Sequence, residues 1–220
     1  EDFVAAFAHE LKTPLTSIIG YADALRSRRL DEEKQFMSAN YIYTEGKRLE
    51  AMSFRLLDIM VTRRGEVEFT MVSAESLFLY LYDMYVINKS MKIYFNYDDG
   101  MVRAEANLIK SVLMNLLDNA FKASEADGLI EVYGHLMKDG YCFEVKDHGV
   151  GIPKEELHKI TKAFYMVDKS RSRSRNGAGL GLALCAEILE LHKSRLNIRS
   201  ELGKGTTMSF TLPLWKEDQL

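Results

Sequence analysis

The chain has 220 residues, 47% of them apolar, and a formal net charge of −3. That is enough apolar side chain for one large or two small packed domains, and the charge argues against a general binder of nucleic acid or of anionic membranes. No apolar run approaches the ~20 residues that cross a bilayer, residues 1 to 8 lack the pattern of a signal peptide, and the histidines at 9, 135, 148, 158 and 192 are too scattered for a metal cluster.

The first segment, Glu1 to about Arg28, reads as a helix. Leu11, Leu15, Ile18, Ala22 and Leu25 recur at steps of three and four and form one apolar stripe. His9 is two residues from both Phe7 and Leu11, on the side opposite the stripe, and Thr13 shares its face. Pro14 removes a donor in mid-helix and should bend it just past the histidine. A second helix runs from about Asp31, placed to act as N-cap, to about Met60, with Ile42, Leu49 and Leu56 on a seven-residue repeat. Two such helices joined by a short turn have too little core to stand alone. Pairing two hairpins into a four-helix bundle would supply it, and so would packing on the downstream residues.

The segment from Thr62 to Gly65 breaks the pattern and reads as a hinge, giving a hairpin over 1–62, a linker at 63–66 and a second domain over 67–220. Beyond it the patterns predict a strand at Val67 to Val72, a helix from Ser73 to Asn88, strands at Ile93 to Tyr97 and Val102 to Ala104, and a helix from Asn107 to Ala123. Strands at Leu129 to Leu136 and Tyr141 to Lys146, a short helix near Lys154, a helix after Gly179 and two final strands complete an α/β sandwich. Periodicity leaves strand directions open. Cys142 and Cys185 fall inside apolar patterns and read as buried thiols of a reducing compartment.

Chemistry is concentrated between Asn115 and Gly181. Asn115 and Asn119, four apart on a helix, put two amides on one face with Lys122 at the next turn. An amide oxygen suits a hard cation such as Mg²⁺, and Asn119 is the candidate metal ligand. Asp147 ends a strand and is followed by Gly149 and Gly151; its carboxylate can accept a hydrogen bond from an exocyclic amine. A basic, serine-spaced run carries Lys169, Arg171, Arg173 and Arg175, and leads into Gly177, Gly179 and Gly181 ahead of an apolar helix start that favours an anion. Each piece alone is commonly structural; their order suits a nucleoside triphosphate with magnesium.

Asn-x-x-x-Asn-x-x-Lys, Asp-x-Gly-x-Gly-Ile, Phe164-Tyr165 and Gly-x-Gly-x-Gly-Leu together resemble the ATP-binding domain of sensor histidine kinases, within the ATPase superfamily that includes gyrase and the heat-shock chaperones. The run from Ser200 to Pro213 resembles that domain's last strand pair. Phe7-Ala8-His9-Glu10-Leu11-Lys12-Thr13-Pro14 resembles the phosphoacceptor box of the same kinases, so the resemblance covers essentially the whole chain. It implies an α+β protein: a helical hairpin forming a dimeric four-helix bundle, then an α/β sandwich whose mixed sheet is covered on one face by helices. It also implies ATP and Mg²⁺ as ligands, with Asp147 at the adenine and Phe164-Tyr165 packing the root of a closing lid over Val167 to Asn176. His9 is then the phosphoacceptor, Glu10 the general base, and the partner a response-regulator receiver domain. In kinases with Glu-x-x-Thr here, Thr13 orients the water that dephosphorylates that partner.

Two departures stand out. Ala123-Ser124 follows Lys122 where the family has an aromatic residue, and Lys162-Ala163 precedes Phe164 where it often has Glu-Pro. An ATPase clamp of the gyrase or chaperone kind would use the same nucleotide site without His9, and a docking module would need neither. A P-loop kinase is excluded because Gly203-Lys204-Gly205 lacks the following hydroxyl. The chain opens inside a helix pattern without a cap. The expectation is therefore a cytoplasmic piece of a longer kinase, its sensor upstream and any membrane attachment only through that missing part.

Overall fold

The computed structural model describes residues 2–64, 67–85, 92–125, 127–163, 165 and 179–216; for 2–7, 9–10, 48, 51 and 54–64 the description is of the main chain only. Two long helices come first, α1 over Asp2–Ser27 and α2 over Glu32–Arg64. Asp31 caps α2 as expected: its Oδ1 accepts the Lys34 main-chain N–H at 2.9 Å. Pro14 lies inside α1, which continues on both sides of it. The second helix runs through Arg64, two residues into the expected linker, because no glycine or proline stands between Met60 and Gly65.

The seam between α1 and α2 holds Pro14, Ser38 and the half-buried Leu11, Ile18, Leu25, Ile42 and Leu49, and Tyr21 stacks on Tyr41 with centroids 4.6 Å apart. Much apolar surface stays outside it. Leu15, Ile19, Phe36, Met37 and Tyr43 are exposed, Phe36 by 74%.

The rest of the described chain is one α/β layer structure. A two-stranded antiparallel sheet pairs β1 (Thr70–Ser73) with β3 (Met101–Ala104). The main sheet has the order β2-β4-β5-β7-β6, from β2 (Lys92–Tyr97), β4 (Leu129–Met137), β5 (Gly140–Asp147), β6 (Asn197–Glu201) and β7 (Gly205–Leu212). Only β2 and β4 are parallel, because β3 and a helix intervene between them; β4–β5, β5–β7 and β6–β7 are antiparallel. The sheet is thus mixed, as the resemblance implied.

Alternation decides which face is covered. Ile130 and Val132 on β4, Tyr141, Phe143 and Val145 on β5, and Met208, Phe210 and Leu212 on β7 all point inward, and Phe78, Phe143 and Phe210 stack through that layer. They meet α3 (Ala74–Tyr85), α4 (Ala106–Ala123) and α5 (Gly181–Leu191). Leu108, Ile109, Val112, Leu113, Leu116, Leu117 and Ala120 of α4 recur at three- and four-residue steps and are all buried, each large one contributing about 1.5–3 kcal/mol. Glu105 starts α4 by accepting the Leu108 N–H at 2.6 Å, and Ser124 closes it on the Ala120 carbonyl at 2.8 Å.

His192, at the end of α5, is 3% exposed. Its Nδ1 donates to the Ile188 carbonyl at 2.7 Å and its Nε2 accepts the Glu105 N–H at 3.1 Å, a pairing only the neutral ring can make. Burial holds its pKa below the ordinary 6.5, against the opposing pull of the Ile188 bond and Glu105, and with Arg103 adding to the depression. Below about pH 6.5 the unfolded chain therefore binds a proton that the folded chain refuses, and stability falls as pH drops through that value. The urea midpoint of wild type should be lower at pH 5.5 than at 7.5, and His192→Gln should shrink that difference. An undiminished difference in the variant would remove His192 as the cause.

Candidate functional site

Two sequence-distant pieces converge on the C-terminal half of α4. At one end, the Asn115 amide donates to the Ser111 carbonyl at 2.8 Å and turns its oxygen toward the start of α5. A Cβ at Gly181 would lie 2.7 Å from Asn115 Oδ1, so glycine lets the two helices meet there. At the other end, a Cβ at Gly149 would lie 2.5 Å from the Ala123 carbonyl carbon, and Val150 donates its N–H to that carbonyl at 3.1 Å. Between these ends sits Asn119, whose Nδ2 is buried without a hydrogen-bond partner. Lys122 is half-buried beside it. Sequence spacing treats the two asparagines alike, whereas the structure separates them: Asn115 is engaged locally, and the buried Nδ2 of Asn119 has no hydrogen-bond partner among the described residues.

Asp147 closes β5 and is 6% exposed. Its Oδ1 accepts the Gly149 N–H at 2.9 Å and the Thr206 N–H at 3.2 Å, so the turn and the last strand hold the same oxygen and Oδ2 is left for an incoming donor. Burial raises the carboxyl's pKa, and those two main-chain bonds pull against it. The turn is also fixed from behind. Gly151 has φ +68°, and a Cβ there would lie 2.7 Å from the Glu201 carbonyl carbon. Ser200 Oγ accepts the Ile152 N–H at 2.8 Å and donates to the Gly205 carbonyl at 3.0 Å, so the Thr206 hydroxyl, 2.8 Å away, must donate to it. On the outer face His148 is tied to Glu131 at 2.8 Å; Lys146, Tyr133 and His148, in that order, hold the Glu131 carboxyl down at about 2.

Ser200 and Thr206 are members of the site that sequence spacing did not single out. The only signal was the strand-like run that holds them, some fifty residues beyond Asp147.

The second glycine turn is partly described. Gly179 has φ +66°, Leu180 is fully buried, and α5 opens at Gly181 close against the Asn115 side chain of α4. Lys169, Arg171, Arg173, Arg175 and Gly177 lie outside the described residues, as does Phe164. Tyr165 is described and its hydroxyl is hydrogen-bonded to Glu156, which also pairs with Lys159 at 3.2 Å.

His9 and Glu10 belong to α1, with side chains outside the description, while Thr13 is exposed one turn beyond His9. The hairpin nevertheless touches the α/β layers close to His9. Met52 of α2, 1% exposed, packs with Leu180, and Leu11 and Ala163 close the cluster. Leu11 is two residues from His9, and Leu180 immediately precedes α5. Ala163, one of the two departures noted in the sequence, thus fills an apolar contact with the hairpin. Ala123, the other, presents its carbonyl and small side chain to Gly149.

Among the described residues no cluster of metal-ligating side chains exists, and no helix is long and apolar enough to cross a membrane. The residue type at Asn119 nonetheless fits Mg²⁺, since a single amide oxygen is a sufficient protein ligand for a cation that takes the rest from phosphates and water, and the buried Nδ2 is left to donate to a phosphate oxygen.

A family model for histidine kinase-, DNA gyrase B- and HSP90-like ATPases matches residues 104–216, and one for the His Kinase A (phospho-acceptor) domain matches residues 1–60. The chain is 30% identical to sensor histidine kinase YclK of Bacillus subtilis over 99% of its own length and 47% of the relative's. It is 31% identical to sensor histidine kinase WalK of the same organism, over 99% and 37%. It spans less than half the length of either relative. Among solved structures, the catalytic domain of histidine kinase ThkA has a TM-score of 0.58 at 27% identity, covering 67% of this chain and 97% of that one. ThkA in complex with the response regulator TrrA gives 0.77 at 24% identity over 98% of this chain and 62% of that one, a likeness of fold.

Proposed function

The chain belongs to the histidine kinase-, DNA gyrase B- and HSP90-like ATPase family, and from that premise we propose that it carries the phosphoacceptor and catalytic parts of a protein-histidine kinase of two-component signalling. The carrying observation is the buried Nδ2 of Asn119, a donor without a partner among the described residues, framed by Gly149 at one end of α4 and Gly181 at the other. In this reading the hairpin occupies 1–62 and the ATP domain 67–220, with α2 extending into the linker.

The adenine amine donates to Asp147, and Asn119 gives its oxygen to Mg²⁺ with Asn115 and Lys122 beside the phosphates. Bound Mg²⁺ neutralises phosphate charge. The N-terminus of α5, with Gly177, Gly179 and Gly181, accepts the anionic tail, and Lys169, Arg171 and Arg173 close over it. The bond from the γ-phosphorus to the ADP oxygen breaks as a bond to an imidazole nitrogen of His9 forms; Glu10 takes the proton from the ring's other nitrogen. The phosphoryl group then passes to an aspartate of a receiver domain, a partner supported by the ThkA complex with TrrA. Thr13, exposed one turn beyond His9, orients water for the reverse dephosphorylation of that partner.

Dimerisation belongs to the same reading. The exposed apolar residues Leu15 and Ile19 on α1 and Phe36, Met37 and Tyr43 on α2 need a cover, and a second hairpin supplies one as a four-helix bundle.

The test is incubation with γ-labelled ATP and Mg²⁺. Wild type should acquire acid-labile, alkali-stable label and His9→Gln none, while nucleotide affinity is unchanged; label persisting in the variant sinks the assignment. Phosphate release without protein label would favour an ATPase clamp. In the same assay Thr13→Ala should slow regulator dephosphorylation and spare labelling, and equal loss of both would deny Thr13 its role.

A further inference from the structure

The geometry points to Tyr85 as a positioning residue of the nucleotide site: it fixes the roll of α4 about its axis and so the aim of Asn119. This rests on the nucleotide reading above.

The apolar face of α4 holds the helix against the sheet, but apolar contact is non-directional and does not by itself stop a roll. Tyr85 adds direction. It is the last described residue of α3 and is buried. Its hydroxyl donates to Asp118 Oδ1 at 3.0 Å and lies 3.3 Å from the Met114 carbonyl, and its ring stacks on Phe121 with centroids 5.4 Å apart and planes 15° apart. Met114, Asp118 and Phe121 form one row along α4, at steps of four and three. Asn115, Asn119 and Lys122 form the next row, each one residue on and so about 100° round the helix. A roll of about 20° carries a side-chain end some 6 Å from the axis through about 2 Å, enough to lose a metal ligand. Such a roll has to stretch the Tyr85–Asp118 bond and slide Phe121 off the ring. Burial, with the Asp118 charge next, drives the Tyr85 phenol far above its usual range, so it stays a donor at any working pH. The clasp lies beside the site without entering it.

The experiment measures equilibrium binding of a non-hydrolysable ATP analogue to the full chain with and without Mg²⁺, with thermal midpoints alongside. Tyr85→Phe keeps the ring and its stack and loses the hydroxyl; Asp118→Ala loses the acceptor, and Asp118→Asn retains one. Tyr85→Phe and Asp118→Ala should each weaken Mg²⁺-dependent binding about tenfold while Mg²⁺-free binding, held at Asp147, changes less than about twofold. Asp118→Asn should stay within about threefold of wild type. If Tyr85→Phe leaves the Mg²⁺ gain intact, or weakens both modes by one factor, the positioning role is overturned. If wild type binds no nucleotide at all, the nucleotide reading falls and takes this inference with it.

Discussion

Gly149→Ala is expected to abolish nucleotide binding, by about a hundredfold or more, and to destabilise the ATP domain by about 3 kcal/mol. The new Cβ would sit 2.5 Å from the carbonyl carbon of Ala123 and nearer still to its oxygen. Neither partner yields cheaply. The carbonyl lies at the end of α4, one residue past Lys122, and already accepts the Val150 N–H. The turn is held by the Gly149 N–H on Asp147 Oδ1, by Ile152 on Ser200 and by Gly151 against Glu201. A relieving shift of about 1 Å would therefore strip a hydrogen bond from a buried carboxylate or displace the Lys122 end of the helix. His148→Ala is the control. The neighbouring side chain is half-exposed and its pairing with Glu131 is worth less than about 1 kcal/mol, so binding should survive. Calorimetric titration with ATP and a urea melt check both; normal affinity in Gly149→Ala would show that the close approach to Ala123 is no part of the site.

Elements with one apolar face fall where their periodicity places them. The predicted start of α4 is one residue off and its end is right, and β5 and β2 come within a residue or so at each end, because burial of alternate or three-and-four-spaced side chains is written in the residues themselves. The start of β1 was set three residues early, since Val67, Glu68 and Phe69 alternate like a strand but find no pairing partner among the described residues. Periodicity also says that a face is apolar without saying what meets it. The seam residue Met52 was legible as apolar; its contact with Leu180 and Ala163 was not.

The site divides the same way. That Asn119, Asp147, Gly149 and Gly181 come together around α4 was legible, because close backbone approach demands glycine and the buried polar groups stand at short, regular spacings from it. Thr206 reaches Asp147 only through the β5–β7 pairing, Ser200 reaches Thr206 only through the β6–β7 pairing, and His192 reaches Glu105 only through the packing of α5 on α4. Those are facts of tertiary register, which no local pattern encodes. The same holds for Tyr85, which reads in sequence as one more aromatic residue on a helix.

Met52→Asp is expected to leave both domains folded and nucleotide affinity within about twofold, yet to slow phosphorylation of His9 by about a hundredfold. The introduced carboxylate would be buried among Leu180, Leu11 and Ala163 with no cation beside it in that cluster, at a cost of several kcal/mol. The contact between hairpin and ATP domain is apolar and small, whereas the core beneath the sheet runs through three helices and five strands, so the contact yields first. Separation returns the carboxylate to water and spares Asp147, Asn119 and α4. What it removes is the tether between Leu11, two residues from His9, the proposed phosphoacceptor, and Leu180, at the mouth of α5, and transfer between groups on separate bodies depends on that proximity. Met52→Leu, which keeps the apolar volume, should behave as wild type. Labelling rates beside nucleotide titrations separate the cases: loss of affinity would place the damage inside the ATP domain, an unchanged rate would make the contact incidental, and a faster rate would mean that it restrains His9 from the phosphate instead of presenting it.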